Sequence, residues 1–554
     1  MNEGTLLGNY FRILCWLGIA ALAASPLAGQ PAAPGIESYG DQLVIGVLKD
    51  KNFTLNPFQI YTPAQKEILQ LIFGYGLTKT PDKVLNPPDL IERYLTTPGK
   101  NDPRVWRILL DRNISFHDGS NLRNVDVKFT FEMLKKYRGF ILNRRFDFDN
   151  IKSISCSGDL EVRFELFEPD ENFGAKLADI PIVPGNYYQA ALRIGPRVFE
   201  EKEPVGMGPF IIESFSQNMM NLRFHPHYYS GRPFLDRVKV LFFPDEQALI
   251  DALVNGQVDY IEFSDPTTLY RIRELMGQRM ALFPVPRPET KVYTMLFNLT
   301  RFPFSEPEVR QAVNLALNRQ DIVNRFMKDV GKVANTLLPE SSPYYERSLY
   351  REEYDPQEAL TLMTGAGWRL NKQSGMLEKN GQPLSFNLYF TRHSHLEENV
   401  ARAIKIYLAE LNMNVEPIPV APDDKETLVR QGAYQSLLFA YTYDPRYLFE
   451  AFDDFFFNIL GAGLEKPNYQ NRYLNRLFSL VREKAELHRN IYQRFQTFAV
   501  RENPAIFLFF DERILVGLNS RFREFRAVHK DERRFYYRMN PVENWFVPKE
   551  LQKY

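Results

Sequence analysis

Two pairs of histidines are spaced for metal chelation, His225-Pro-His227 and His393-Ser-His395. In a strand, residues i and i+2 share a face, so either pair could hold a cation. Neither has a cysteine nearby and an exposed strand or turn accounts for both, so no metal site is assigned. Asp147-Phe-Asp-Asn150 has the acidic spacing of a calcium loop. It lacks the glycine and the closing glutamate that such a loop needs, and reads as a solvated turn. His117-Asp118-Gly119 sets an imidazole beside a carboxylate, but Asp-Gly is a turn signal, and His117 would cap a turn that ends a strand. There is no Gly-x-Ser-x-Gly elbow, no phosphate loop and no His-Glu-x-x-His. The expectation is therefore a chain that is not an enzyme and carries no cofactor. The chemistry left is aromatic. The 44 Phe and 29 Tyr lift aromatic content to 14%. Tyr441, Tyr443 and Tyr447 would share a face of an extended segment. They could stack on a sugar ring, a flat ligand or an apolar side chain, or else pack a core.

The elements that must position these residues are α/β in character. Leu43–Val47 reads as a buried strand, Ala64–Phe73 and Asn124–Tyr137 as amphipathic helices, and Leu160–Leu166 as a half-buried strand of alternating pattern. Gln247–Val254 reads as a helix stopped at Gly256, followed by a strand over Val258–Ile261. Ser305 and Glu308 form a capping-box pattern that opens a helix through Leu317. Ala401–Leu411 is helical, Val415–Val420 a strand, and Pro504–Phe510 a late buried strand. Alternating helices and strands favour an α/β architecture.

The chain has 554 residues, too many for one hydrophobic core. Lys+Arg and Asp+Glu are 68 each, so there is no basic excess of the kind nucleic-acid binding requires. After Arg12, the run Ile13–Ala24 is too short to span a bilayer and suits a signal-peptide core, with small residues following for cleavage before residue 30. Once that leader is removed only Cys156 remains, so no intramolecular disulfide can form. Pro31–Gly35 reads as a linker.

Six segments in order resemble the extracellular solute-binding proteins of peptide/nickel-type ABC transporters, family 5. They are Trp106–Gly119 with Asp126–Phe131, Pro204–Phe210, Tyr228–Asp236, Asn255–Asp259, Leu296–Asn298 with Pro303-Phe304 and Val309–Ala312, and Tyr354–Ala359 with Gly367-Trp368. The resemblance implies a bilobal periplasmic-binding-protein clamp with an additional inserted domain: three regions and a two-strand hinge. It implies a signal peptide over 1–29, a linker over 30–39, and domain I over 40–79, 200–292 and 513–554. Domain II would then span 80–199 and domain III 293–512, with crossings near Tyr293–Asn298 and Phe507–Glu512. It implies a periplasmic monomer that delivers a small molecule or peptide to ABC permease transmembrane subunits, with no nucleic acid and no metal. Carbohydrate, metal chelate and a non-transport sensory role are the alternatives.

In peptide-binding members an Asp four residues before a Pro holds the ligand's amino group. Aligned on Asp444-Pro445, that position is Tyr441. A phenol offers an ammonium no charge-assisted bond. The ligand-binding residues that the resemblance implies are Asn56, Tyr293, Tyr441, Thr442, Tyr443 and Asp444. Pro204–Pro209 is expected to be a turn needing positive φ, and Asn298 to bond the backbone where the chain passes between domains.

Overall fold

The computed structural model describes residues 39–49, 53–59, 62–77, 90–96, 102, 104–137, 148–170, 173–263, 266–286, 289–327, 330–349, 354–445, 448–461, 472–482, 488–523 and 542–554. The leader, Asp147 and Tyr447 lie outside these residues. Among the described residues no helix is long and apolar enough to cross a membrane.

The first sheet has seven strands, in the order Met280–Pro286, Arg513–Asn519, Tyr260–Phe263, Gln42–Leu48, Arg237–Phe243, Met219–Phe224 and Phe210–Phe215. Gln42–Leu48 is central and runs parallel to both neighbours. Its apolar run, buried on both faces, is what a central parallel strand requires. The helix Glu246–Val254 starts on the Asp245 carboxylate, which accepts from Ala248 N at 2.8 Å, and stops at Gly256 with φ +71°. The strand after it is Tyr260–Phe263, two residues later than the apolar pattern indicates.

A four-stranded antiparallel sheet follows the order Ile91–Thr96, Val105–Leu110, Glu161–Leu166, Ile151–Ser157. The helix Asn124–Lys136 buries Val127, Phe131 and Leu134. These belong to one continuous core with Leu43, Ile45, Ile68 and Ile72, so the two sheets form a single lobe. The joint is made by Pro204–Pro209, but not through positive φ. Gly206 and Gly208 lie against the carbonyl ends of the helix Pro63–Phe73, where an added Cβ would stand 2.3 Å from Ile72 O and 2.4 Å from Leu71 O. Glycine is needed there for close approach rather than for a left-handed turn. His117 N donates to Gly206 O at 2.8 Å, and the rings of His117 and His225 meet edge to face at 4.9 Å.

The other lobe is built on a six-stranded sheet, in the order Gly331–Val333, Ala505–Asp511, Thr290–Phe297, Ser436–Tyr443, Ser385–Thr391, Asn414–Val420. Every residue of Ala505–Asp511 is buried. The helix expected from Ser305 begins at Pro307 instead. A residue before proline is pushed towards extended backbone, and Glu306 has φ −90°, ψ 119°. Ser305 and Glu308 therefore form no capping box. The Glu306 carboxylate accepts instead from Lys379 Nζ at 2.9 Å and Trp368 Nε1 at 3.2 Å. Asn298 does not mark a passage between lobes. Its Nδ2 donates to Gly432 O at 2.8 Å, inside this second lobe.

Candidate functional site

The two lobes are joined by two crossings. One runs from the strand ending at Pro286 to the strand starting at Thr290; the other is the single residue Glu512, between Asp511 and Arg513. Thr290–Val292 therefore pairs within the six-stranded sheet, ahead of the boundary at 293 and the crossing near Tyr293–Asn298 that the resemblance implied. The apolar run Val292–Phe297 is the inside of a strand buried by neighbours on both edges. Glu512, the residue of the second crossing, is charged and half-buried.

Strand direction fixes what surrounds the hinge. In the first lobe, Phe263 pairs near Leu515, and Gln42–Leu48 and Arg237–Phe243 run parallel to Tyr260–Phe263. Leu48, Phe243 and the hairpin between Phe215 and Met219 therefore end at the same rim as Pro286 and Arg513. In the second lobe Thr290 pairs with Tyr443, and Gly331 with Asp511. Ser385–Thr391 runs parallel to Ser436–Tyr443, so Thr391 ends at that rim too. A chain spans at most ~3.6 Å per residue, so crossings this short hold the two rims against one another at the hinge.

Several charged side chains gather there. Lys291 Nζ lies 3.4 Å from Asp511 Oδ2 and 4.9 Å from the Tyr293 ring centroid. Lys332 Nζ lies 3.0 Å from Glu512 Oε2. Tyr293 stacks on Phe509 at 4.8 Å, which ties the two crossing strands together just inside the second lobe. The signal for this cluster is present in the sequence as Asp511-Glu512-Arg513 set between two apolar runs, and composition alone does not bring Lys291 to it.

Asn56 is fully buried, and its Oδ1 accepts from Phe58 N at 3.0 Å. It shapes the loop after the central strand, braced by Gln65, whose Nε2 donates to Thr54 O and Gln59 O. Tyr441 and Tyr443 do share a face, with rings 5.9 Å apart, but that face is not open for stacking on a solute. It packs under the helical segment Leu448–Ile459, where Phe455 meets Tyr441 at 5.1 Å. The Tyr441 hydroxyl lies 2.9 Å from both Ala451 O and Asp454 Oδ2, and the Tyr443 hydroxyl donates to Leu337 O at 2.7 Å. Burial pushes the Tyr443 phenol well above its ordinary range, so it stays a neutral donor. Thr442 and Asp444 take the opposite alternation and are half-buried, with Thr442 beside Lys291 in the strand register.

The histidine pairs do not act as pairs. His225 is buried and His227 exposed, while His393 sits in a left-handed turn before the helix that begins at His395. Among the described residues no group of three or more His, Cys, Asp or Glu side chains is placed to hold a metal ion. His117 closes a turn as expected, with Asp118 Oδ1 accepting from Ser120 N at 2.9 Å and Gly119 at φ +83°.

Residues 88–458 match the family described as bacterial extracellular solute-binding proteins, family 5 middle. The oligopeptide-binding protein AppA of Bacillus subtilis is 28% identical over 406 residues, 71% of this chain and 70% of AppA. The structure of that protein in complex with a nonapeptide aligns over 92% of this chain and 99% of its own, with TM-score 0.67 and 20% identity. The structure of NikZ from Campylobacter jejuni in complex with Ni(L-His) covers 91% of this chain and 99% of its own, with TM-score 0.73 and 21% identity. At these identities the structural likenesses show the fold.

Proposed function

We propose, starting from the fact that this chain belongs to the bacterial extracellular solute-binding proteins of family 5, that it captures a peptide or peptide-like solute between its two lobes and hands it to the transmembrane subunits of an ABC permease. The double crossing carries this reading. Two lobes with separate sheets, joined by two short connections and by one buried cluster that holds Phe263 and Met280 of the first with Tyr293 and Phe509 of the second, can close on a ligand by small backbone changes at those connections. Closure must be driven by tighter binding to the closed state, and moving the balance from 1:99 to 99:1 takes about 5.5 kcal/mol of differential affinity.

Thr442, opposite Lys291 in the strand pairing, and Asp444, just past the end of that strand, are assigned as direct ligand contacts. Asn56, Tyr293, Tyr441 and Tyr443 act as positioning residues, since each side chain is buried and engaged with its own lobe. The protein performs no reaction on its cargo, loses residues 1–29 on export, and works as a periplasmic monomer. The relative whose name specifies oligopeptides favours a peptide over a sugar.

Native mass spectrometry of the mature chain, purified without denaturation and then incubated with a digest of short peptides, tests this. The expected result is one short peptide per chain, released on unfolding. A chain that stays bare, or that carries only hexose or metal increments, would contradict it.

A further inference from the structure

The rim of the first lobe changes character along its length. At the hinge it meets charged groups, Lys291 and Asp511 of the second lobe and Glu512 between the lobes, gathered at the crossings. Away from the hinge it is aromatic. Phe53, from the loop after the central strand, meets Phe242 at 5.0 Å and Phe215 at 5.7 Å, and Phe215 and Phe242 are 6.4 Å apart. Phe53 and Phe242 are half-buried against the core, but Phe215 at the hairpin tip keeps 42% of its surface exposed. Among the described residues the trio is therefore a core end left uncapped, on the rim that faces the other lobe. Lys49 borders it, with Nζ donating to Asn218 Oδ1 at 3.1 Å, so the neighbouring polar groups are already occupied with each other.

Strand order gives the distance. From Arg513–Asn519 the sheet steps through Tyr260–Phe263 and Gln42–Leu48 to Arg237–Phe243, the strand that carries Phe242. Three steps of ~4.8 Å make about 14 Å, which an extended chain rising ~3.4 Å per residue covers in about four residues.

We infer that Phe53, Phe215 and Phe242 form a subsite for a bulky apolar side chain about four residues from the ligand end held at the charged hinge. This rests on the peptide reading above and specifies its substrate class. A single-residue ligand or a uniformly polar one would leave the trio uncovered.

The test is a calorimetric scan of five alanine pentapeptides, each with Phe at a different position, against the mature full chain. Phe at the fifth position from one terminus, four rises from the end residue, should bind about tenfold tighter than the all-alanine peptide, the usual gain for burying such a side chain. Phe215→Ser and, separately, Phe53→Ala should cut that advantage to within about threefold, by the same burial argument. A flat scan, or an advantage that survives both substitutions, overturns the subsite while leaving peptide capture intact. If no pentapeptide binds a chain that still melts normally, the peptide reading falls and the subsite with it. If both variants keep the full position-dependent advantage but cells lose uptake, the trio is a surface for the permease and the subsite is overturned.

Discussion

Replacing Arg521 by Met should lower the stability of the first lobe by about 3–5 kcal/mol, the range for breaking a buried ion pair by removing one partner. Arg521 is 6% exposed and sits between two carboxylates that are themselves buried, Asp41 and Asp259. Its Nε and Nη2 donate to Asp259 at 3.2 and 2.9 Å, its Nη1 donates to Asp41, and Nη2 also reaches Gln42 O at 2.8 Å. The same carboxylates organise backbone: Asp259 accepts from Val44 N at 3.1 Å, and Asp41 from Lys553 N at 3.0 Å. The triad thus fastens the C-terminal segment and the last strand to the central strand. Without the guanidinium, two like charges remain in a site that cannot solvate them. Thermal unfolding should show the earliest transition moving to lower temperature, and Asp259→Asn in the same chain should recover part of the loss. A variant that melts like the parent would show that the triad does not hold the lobe.

Glu543 should make the protein lose stability as pH rises. Its carboxyl is buried, with the Tyr228 hydroxyl 3.2 Å from Oε1, and burial raises its pKa from 4.5 to about 7. The folded chain therefore binds more protons than the unfolded one between those values. The penalty is absent below about 4.5 and complete above about 7, where it reaches about 3 kcal/mol. Glu543→Gln keeps the shape without the charge, and should be more stable than the parent at pH 8 by about that amount and nearly equal to it at pH 4.5. Denaturation curves of the two chains at both pH values would read this difference; an equal gap at both would rule it out. His117 acts in the opposite direction. Burial lowers it from 6.5 to about 4, so it stays neutral in the fold and costs stability as pH falls through that window. The two windows overlap between about 4.5 and 6.5, where the opposing slopes largely cancel, so the comparison of Glu543→Gln with the parent is what isolates the Glu543 effect.

Much of the framework of both lobes is written locally. The run Ala505–Asp511 is apolar at nearly every position because it is buried on both faces, and the helix Asn124–Lys136 shows its buried stripe at helical spacing. Helix starts are less legible where two signals compete, as at Ser305, where the backbone restriction before Pro307 overrides a capping pattern. Contacts between distant segments are not legible at all. Nothing near His225 in the chain announces His117 as its partner, nor does the glycine pattern at Gly206 and Gly208 distinguish a turn from a close approach to a helix end.

The same limit applies to the site. Alternation correctly puts Tyr441 and Tyr443 on one face, but which face meets the cleft depends on the helical segment Leu448–Ile459 that covers them. Their neighbours Thr442 and Asp444 are half-buried. The hinge charges sit at breaks between apolar runs, a signal that can be read only once strand pairing shows which breaks connect two different sheets.

Capture as proposed requires the two lobes to close about Glu512 and the crossing before Thr290. Small-angle X-ray scattering of the mature chain, with and without a saturating peptide, measures it directly. The radius of gyration should be smaller with ligand bound, at unchanged molecular mass. An identical scattering profile in both states, with binding verified in the same sample, would contradict it.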